Sequence, residues 1–262
     1  MSVILLAAMM QAPVRVVFRP NVRKQYVFRV VSDYRIGGVP SDGDVVGNPT
    51  DSFHGYHKEY DATLSFTKKG QKYAMHGRIG LGKQSRNDGT DADTKELTDQ
   101  LNRTKVNAVF DLVGRLVGNF DMDVSSNSTT MEALPDELAG WALMDFDYPP
   151  KAVTVGSTWS VVMPAERYRP NGEMIGNEKG QKVTVTYRVT KISPTTVTIS
   201  AALDASVKAV AWPVDDHFVV KMRQRSEYTL DHTDGLLISG RIERGAIDHD
   251  SLSRLTVVFT RR

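Results

Sequence analysis

Histidine and carboxylate side chains stand close together at four places in this 262-residue chain, and each grouping suggests a chemistry. His54-Gly-Tyr-His57 has the i, i+3 spacing of a chelating pair, with Asp51 and Glu59 near it. No third, distant ligand is identifiable, and the pair sits in or beside a glycine-rich stretch, so a solvated loop is the simpler reading. Asp215-Asp-His217, Asp231-His-Thr-Asp234 and Asp248-His-Asp250 put carboxylates beside imidazoles, the raw material of a hydrolase. Adjacent residues of a strand point to opposite faces, which works against a compact ligand or catalytic set. Asp231 to Gly235 also has the composition of a hairpin turn. A hydrolytic site would require two of these clusters to converge in one cleft. The chain carries no Gly-x-Ser-x-Gly elbow, phosphate loop or His-Glu-x-x-His motif. Gly77-Arg-Ile-Gly80-Leu-Gly82 leads into a polar loop rather than a helix N-terminus, so it offers a phosphate nothing. The expectation is a protein without catalytic residues, metal site or cofactor.

Bulk properties narrow the partners. Lys and Arg number 33 against 31 Asp and Glu, a net charge of +2 that creates no strong field for nucleic acid or an anionic membrane. Lys221, Arg223 and Arg225 alternate along one strand and so share one face, without the interleaved aromatics of a base-stacking platform. A solvated sheet face is expected there, and no nucleic-acid partner. Cysteine is absent, which excludes disulfides, thiolate metal sites and a cysteine nucleophile. Residues 1–12 are apolar and end at Ala12-Pro13, like a remnant signal segment, although no lysine or arginine precedes the apolar run. This points to a secreted or periplasmic protein. No run approaches the roughly 20 apolar residues of a membrane-spanning helix, so the chain is not expected to be transmembrane. Asn102-Arg-Thr and Asn127-Ser-Thr match the glycosylation triplet.

The elements that would position any site are strands. Thr63 to Met75 followed by Val106 to Leu116 recurs as Val183 to Ala201 followed by Glu227 to Leu237. Phe66 and Asp111 are 45 positions apart, Tyr187 and Asp231 44. Alternating runs at 14–18, 26–31, 58–66, 71–79, 106–112, 116–122, 158–163, 182–192, 196–207, 217–230, 236–244 and 255–259 read as strands. Residues 37–56 read as a long loop, 94–102 as one or two helical turns, and 168–179 as a polar excursion. Residues 13–262 thus form one duplicated β domain, with halves at about 13–125 and 149–262. A helix at about 130–146, with Trp141 and Phe146 on its apolar stripe, joins them.

Pro149-Pro-Lys-Ala-Val-Thr-Val-Gly156-Ser-Thr-Trp159 lies between Phe110 to Leu116 and Leu230 to Leu236. This arrangement resembles an uncharacterised family of bacterial secreted proteins and lipoproteins, in which a Val-x-Val-Gly-x-x-Trp motif separates two strand–turn–strand segments. The resemblance runs from about residue 14 to 262 through short motifs. It implies a lipoprotein-carrier-like fold, an incomplete β-barrel wrapped around one or two helices with a concave apolar cavity able to hold an acyl chain. No catalytic residue is carried over, and the acylated cysteine of the lipoprotein members is missing.

The fold expected is therefore mainly β, an internally duplicated antiparallel curved sheet or half-barrel with one or two helices packed on its concave side. The function expected is non-enzymatic, an exported protein binding a lipid or other apolar small molecule in the cavity. Phe66, Tyr73, Phe110, Phe120, Trp141, Trp159 and Tyr187 are its expected lining, each also readable as plain core. The alternatives are a structural or protein-interaction module with a cell-envelope partner, and a hydrolase using an Asp/His cluster.

Overall fold

Tyr26, Phe28, Val30, Ser32 and Tyr34 alternate with more exposed residues along β1 (Gln25–Gly38), so one face of that strand is committed to the interior. A computed structural model describes residues 12–86, 94–117, 121–123, 146–165, 175–177, 180–211, 216–248 and 251–262. The same alternation builds β2 (Thr50–Lys69), β3 (Lys72–Arg86), β4 (Lys105–Asp111) and the short β5 (Asp121–Asp123). The second half supplies β6 (Thr158–Pro164), β7 (Ile175–Asn177), β8 (Lys182–Ile192), β9 (Thr196–Ala211), β10 (Asp216–Asp231), β11 (Leu237–Asp248) and β12 (Ser251–Arg261). Among the described residues one helix, α1 (Thr94–Arg103), joins β3 to β4.

All strands belong to one antiparallel sheet ordered β5-β4-β3-β2-β1-β12-β11-β10-β9-β8-β6, with β7 attached to β9. Each half is a meander, and the halves meet at the β1–β12 pair, where Val30 opposes Phe259 and Ser32 opposes Val257. The sheet is curved and is not closed into a barrel. Ring contacts show the curvature. Phe66 on β2 is linked to Tyr187 on β8 through Phe18, Tyr148 and Phe146, in four steps of at most 5.9 Å each. The six strand spacings between β2 and β8 would separate the two rings by ~29 Å in a flat sheet, more than those steps can span. Bulges at Ile36/Gly38, Glu59/Asp61, Val189/Lys191 and Thr229/Leu230 help the strands bend.

The two turns share an aspartate cap and a positive-φ glycine, although the second is one residue longer. Asp111 Oδ1 accepts hydrogen bonds from Val113 and Arg115 amides, and Asp231 Oδ1 accepts one from Thr233. Gly114 and Gly235 follow with φ of 81° and 69°. Both turns close on the same short segment. A side chain at Gly114 would strike Tyr148 and Phe18, and one at Gly235 would strike the carbonyl of Val17. α1 covers the edge of β3 that β4 leaves free. Asn102 accepts from the Gly82 amide at 2.6 Å and donates to its carbonyl at 3.3 Å, while Thr98 Oγ1 accepts from Gln84. The Asn102 amide is thus engaged within the fold.

Two expectations need correction. Residues 14–18 do not form a strand. They make a single bridge, Val14 to Val153, and cross the end of the sheet with Val16 and Phe18 buried. Their alternation records one inward side, not membership of a ladder. Residues 37–56 are not all loop, because β1 runs to Gly38 and β2 starts at Thr50 opposite it. The remaining loop packs on the outer face of β11, where a side chain at Gly245 would overlap the Val45 carbonyl oxygen. The helix expected at 130–146, the hinge at 125–130, Phe120 and Trp141 lie outside the described residues. So does most of the excursion at 168–179, in which β7 is described.

Candidate functional site

The expected lining residues that the structure describes come together. Phe66, Tyr73 and Phe110 converge on Phe18 at ring distances of 5.5–5.9 Å. Tyr187 stacks on Trp159 with centroids 5.1 Å apart and planes within 9°, and the Trp159 indole donates to the Asp147 carbonyl at 3.1 Å. Phe66, Tyr73, Phe110 and Tyr187 are buried, and Trp159 is half-buried. Three rings outside the expected lining connect these groups. Phe18 joins Tyr148, Tyr148 joins Phe146, and Phe146 meets both Tyr187 and Tyr228. Phe18 belongs to a run misread as a strand, and Tyr148 follows the expected helix, so periodicity marked neither as a linker. The Tyr148 hydroxyl donates to the Gly235 carbonyl at 2.8 Å, and burial pushes its pKa well above the usual tyrosine value, so it acts as a neutral donor.

The open seam of the sheet lies between β5 and β6. A cleft of about 410 Å³ there is lined by Arg115 and Leu116 from the first half, by Phe146 and Asp147, and by Val161 to Pro164 of β6. Its floor therefore includes Phe146, a member of the aromatic chain. Val162 on β6 is 60% exposed. The outer face of β6 and β8–β11 holds a second hollow, of about 490 Å³. Several charges around it are paired nearby, Arg225 with Asp204 at 2.7 Å and Arg241 with Glu243 at 2.6 Å.

Deeper in the shell the inward face is polar. Alternation turns Lys58, Ser32, Gln84, Gln224, Ser226 and Arg244 inward, and all are buried. Register aligns Gln84, Lys58 and Ser32 across β3, β2 and β1, and Arg244 with Gln224 across β11 and β10. Arg244 Nε donates to Gln224 Oε1 at 3.0 Å, and Gln224 Nε2 donates to Ser226 Oγ at 3.0 Å. Lys58 Nζ lies 5.6 Å from the centroid of the Tyr56 ring. The sequence signal for this band was available, since Arg223 and Arg225 facing outward requires Gln224 to face inward.

The histidine and carboxylate groupings have structural partners. His57 lies on the outer face between Asp33 at 3.5 Å and Glu59 at 3.4 Å. The His57 hydrogen bond and the Arg29 charge hold the Glu59 carboxyl below its usual pKa. Asp231 and Asp234 form a turn pinned by Arg261, at 2.7 and 3.5 Å. Burial pushes the Asp231 carboxyl up, but hydrogen bonds from Thr233 and Arg261 outweigh it and leave the pKa lowered. Asp216 and Asp231 stand at opposite ends of β10, so those two groupings do not share a cleft. Asp215, His249 and Asp250 lie outside the described residues. Among the described residues no group of three His, Asp or Glu side chains is arranged to hold a metal ion, and no helix is long and apolar enough to cross a membrane. No protein-family model matches the chain, and no curated protein matches it.

Proposed function

We propose that this protein binds a lipid-like apolar ligand, in keeping with an exported, non-enzymatic role. One observation carries the reading. The curved sheet stays open between β5 and β6, and the cleft at that seam reaches Phe146 in the aromatic interior. A volume of about 410 Å³ falls within the ~300–1,000 Å³ common for small-molecule sites. Leu116, Val161 and Met163 supply apolar walls, and Arg115 and Asp147 supply polarity at the cleft. Trp159 stacks on Tyr187, which also touches Phe146, so a ligand in this cleft would perturb indole emission. The test is titration of delipidated protein with oleyl alcohol, following tryptophan fluorescence and displacement of a neutral polarity-sensitive dye. Saturable displacement that Phe146→Ala weakens supports the reading. Absence of both signals in correctly folded protein removes it.

A second reading, a protein-interaction module, is favoured by the edge of β6. Ser157 accepts from Val189 of β8 and Ala165 donates to Gln181 just before that strand, and the parity of an antiparallel ladder then leaves Thr158, Ser160 and Val162 with outward backbone groups. An extended peptide could add there, although Pro164 blunts the end of the edge. Loss of a pulled-down partner on Ser160→Pro, a position outside the cleft lining, with dye binding unchanged, would select this reading.

A further inference from the structure

We infer that the ligand carries a carboxylate, held inside the shell by Ser32 and Lys58 with Arg244 opposite, as in a long-chain fatty acid. This rests on the apolar-ligand reading above and adds the chemistry of the head group.

The observation that points to a ligand is Ser32. Its side chain is 0% exposed, faces inward between Val30 and Tyr34, and its Oγ has no hydrogen-bond partner among the described residues. Buried hydroxyls are almost always satisfied, because an unmade bond forfeits the whole cost of leaving water. The residue directly opposite Ser32 on β2 is Lys58, itself 3% exposed. A carboxylate seated there would accept a hydrogen bond from Ser32 Oγ and pair with the Lys58 ammonium. Such charge-assisted bonds are about twice as strong as neutral ones. Arg244, 4% exposed, faces the same interior from β11, three strands away along the sheet. Three strand spacings and a two-residue offset from the Lys58 row, which holds Ile242 on β11, put the two backbones ~16 Å apart along the sheet, and inward curvature brings the tips of two long side chains closer than their backbones. Gln224 orients the Arg244 guanidinium from beside it.

The apolar part has a matching path. Tyr228 lies four residues from Gln224 on the same inward face of β10, and its ring meets Phe146 at 5.4 Å. Four strand residues cover ~13 Å. A head group at the polar band therefore places the following chain along Tyr228 toward Phe146 and the seam. This order, with cation and hydroxyl deep and rings toward the opening, suits an amphiphile that enters tail-last.

The test compares oleate with oleyl alcohol, which share a chain and differ in head group, by dye displacement at neutral pH. It uses the full-length protein and the variants Ser32→Ala, Lys58→Met and Arg244→Met. The expected result is that wild type prefers oleate at least tenfold. Ser32→Ala should lose about threefold of that preference, and Lys58→Met most of it. Circular dichroism spectra and unfolding midpoints of the variants serve as the control for folding. Equal binding of acid and alcohol by wild type, or a preference intact in all three variants, overturns the carboxylate site while leaving the apolar-ligand reading standing. Binding of neither compound overturns both.

Discussion

Replacing Phe18 by alanine should destabilise this protein more than its position in an irregular terminal segment suggests. The ring is 1% exposed and meets Phe66, Tyr73, Phe110 and Tyr148 at centroid distances between 5.5 and 5.9 Å. Removing a fully buried phenylalanine costs about 3–5 kcal/mol through lost transfer energy and the cavity left behind. Two edge-on ring pairs, with Phe66 and Tyr73, each worth ~0.5–1.5 kcal/mol, place Phe18 toward the upper part of that range. For a domain of this size each kcal/mol lowers the midpoint by ~2–4 °C, so a loss of about 4 kcal/mol predicts a fall of roughly 8–16 °C. Calorimetry and urea unfolding of Phe18→Ala and Phe18→Leu provide the assay, with leucine expected to recover about half. A double-mutant cycle with Tyr148→Phe, which keeps the ring and removes only the bond to Gly235, should show little coupling, whereas Tyr148→Ala should couple strongly. A penalty below ~1 kcal/mol for Phe18→Ala would refute the account in which this ring joins the two halves.

Three further outcomes follow from single contacts. Gly245→Ala sets a methyl against the Val45 carbonyl and should displace the loop before β2, raising proteolysis between residues 39 and 49 with a cost of about 1–3 kcal/mol. Asp231→Asn should cost about 1 kcal/mol at neutral pH. The folded pKa of Asp231 is lowered, so its contribution is complete above the unfolded value of ~3.9 and is lost as pH falls through the folded value. The gap between wild type and variant should therefore close below about pH 4 in acid titrations of stability. Ser32→Ala should raise the stability of ligand-free protein by up to about 1 kcal/mol, because it deletes an unsatisfied buried hydroxyl. A stabilising change that also weakens acid binding is the pattern expected of a functional polar group.

Most strands were legible because one side of each faces water and the other does not. The expected 182–192 strand is β8 itself, and both Asp-to-Gly turns end on a positive-φ glycine. The long loop was overdrawn because glycine, proline and aspartate around 37–51 mask a register that depends on β1 alongside. Local composition cannot report such a partner. Phe66, Tyr73, Phe110, Trp159 and Tyr187 could be picked out because aromatic rings at inward positions have few places to go, yet their links through Phe146 and Tyr148 cross between distant strands. The polar band was hardest to read. Lys58 and Arg244 look like ordinary surface cations until the face of their neighbours Tyr60 and Ile242 is fixed.

The pairing of β1 with β12 makes the middle of the sheet its most non-local seam, since Phe28 sits opposite Arg261. Each meander can form from neighbours in sequence, but the two remain separate ribbons until the last strand docks on the first. During synthesis the early half must therefore keep β1's inner edge unpaired while the rest of the chain emerges. That order predicts slow, late consolidation of the sheet and a window in which a chaperone or another β1 edge competes for the vacancy.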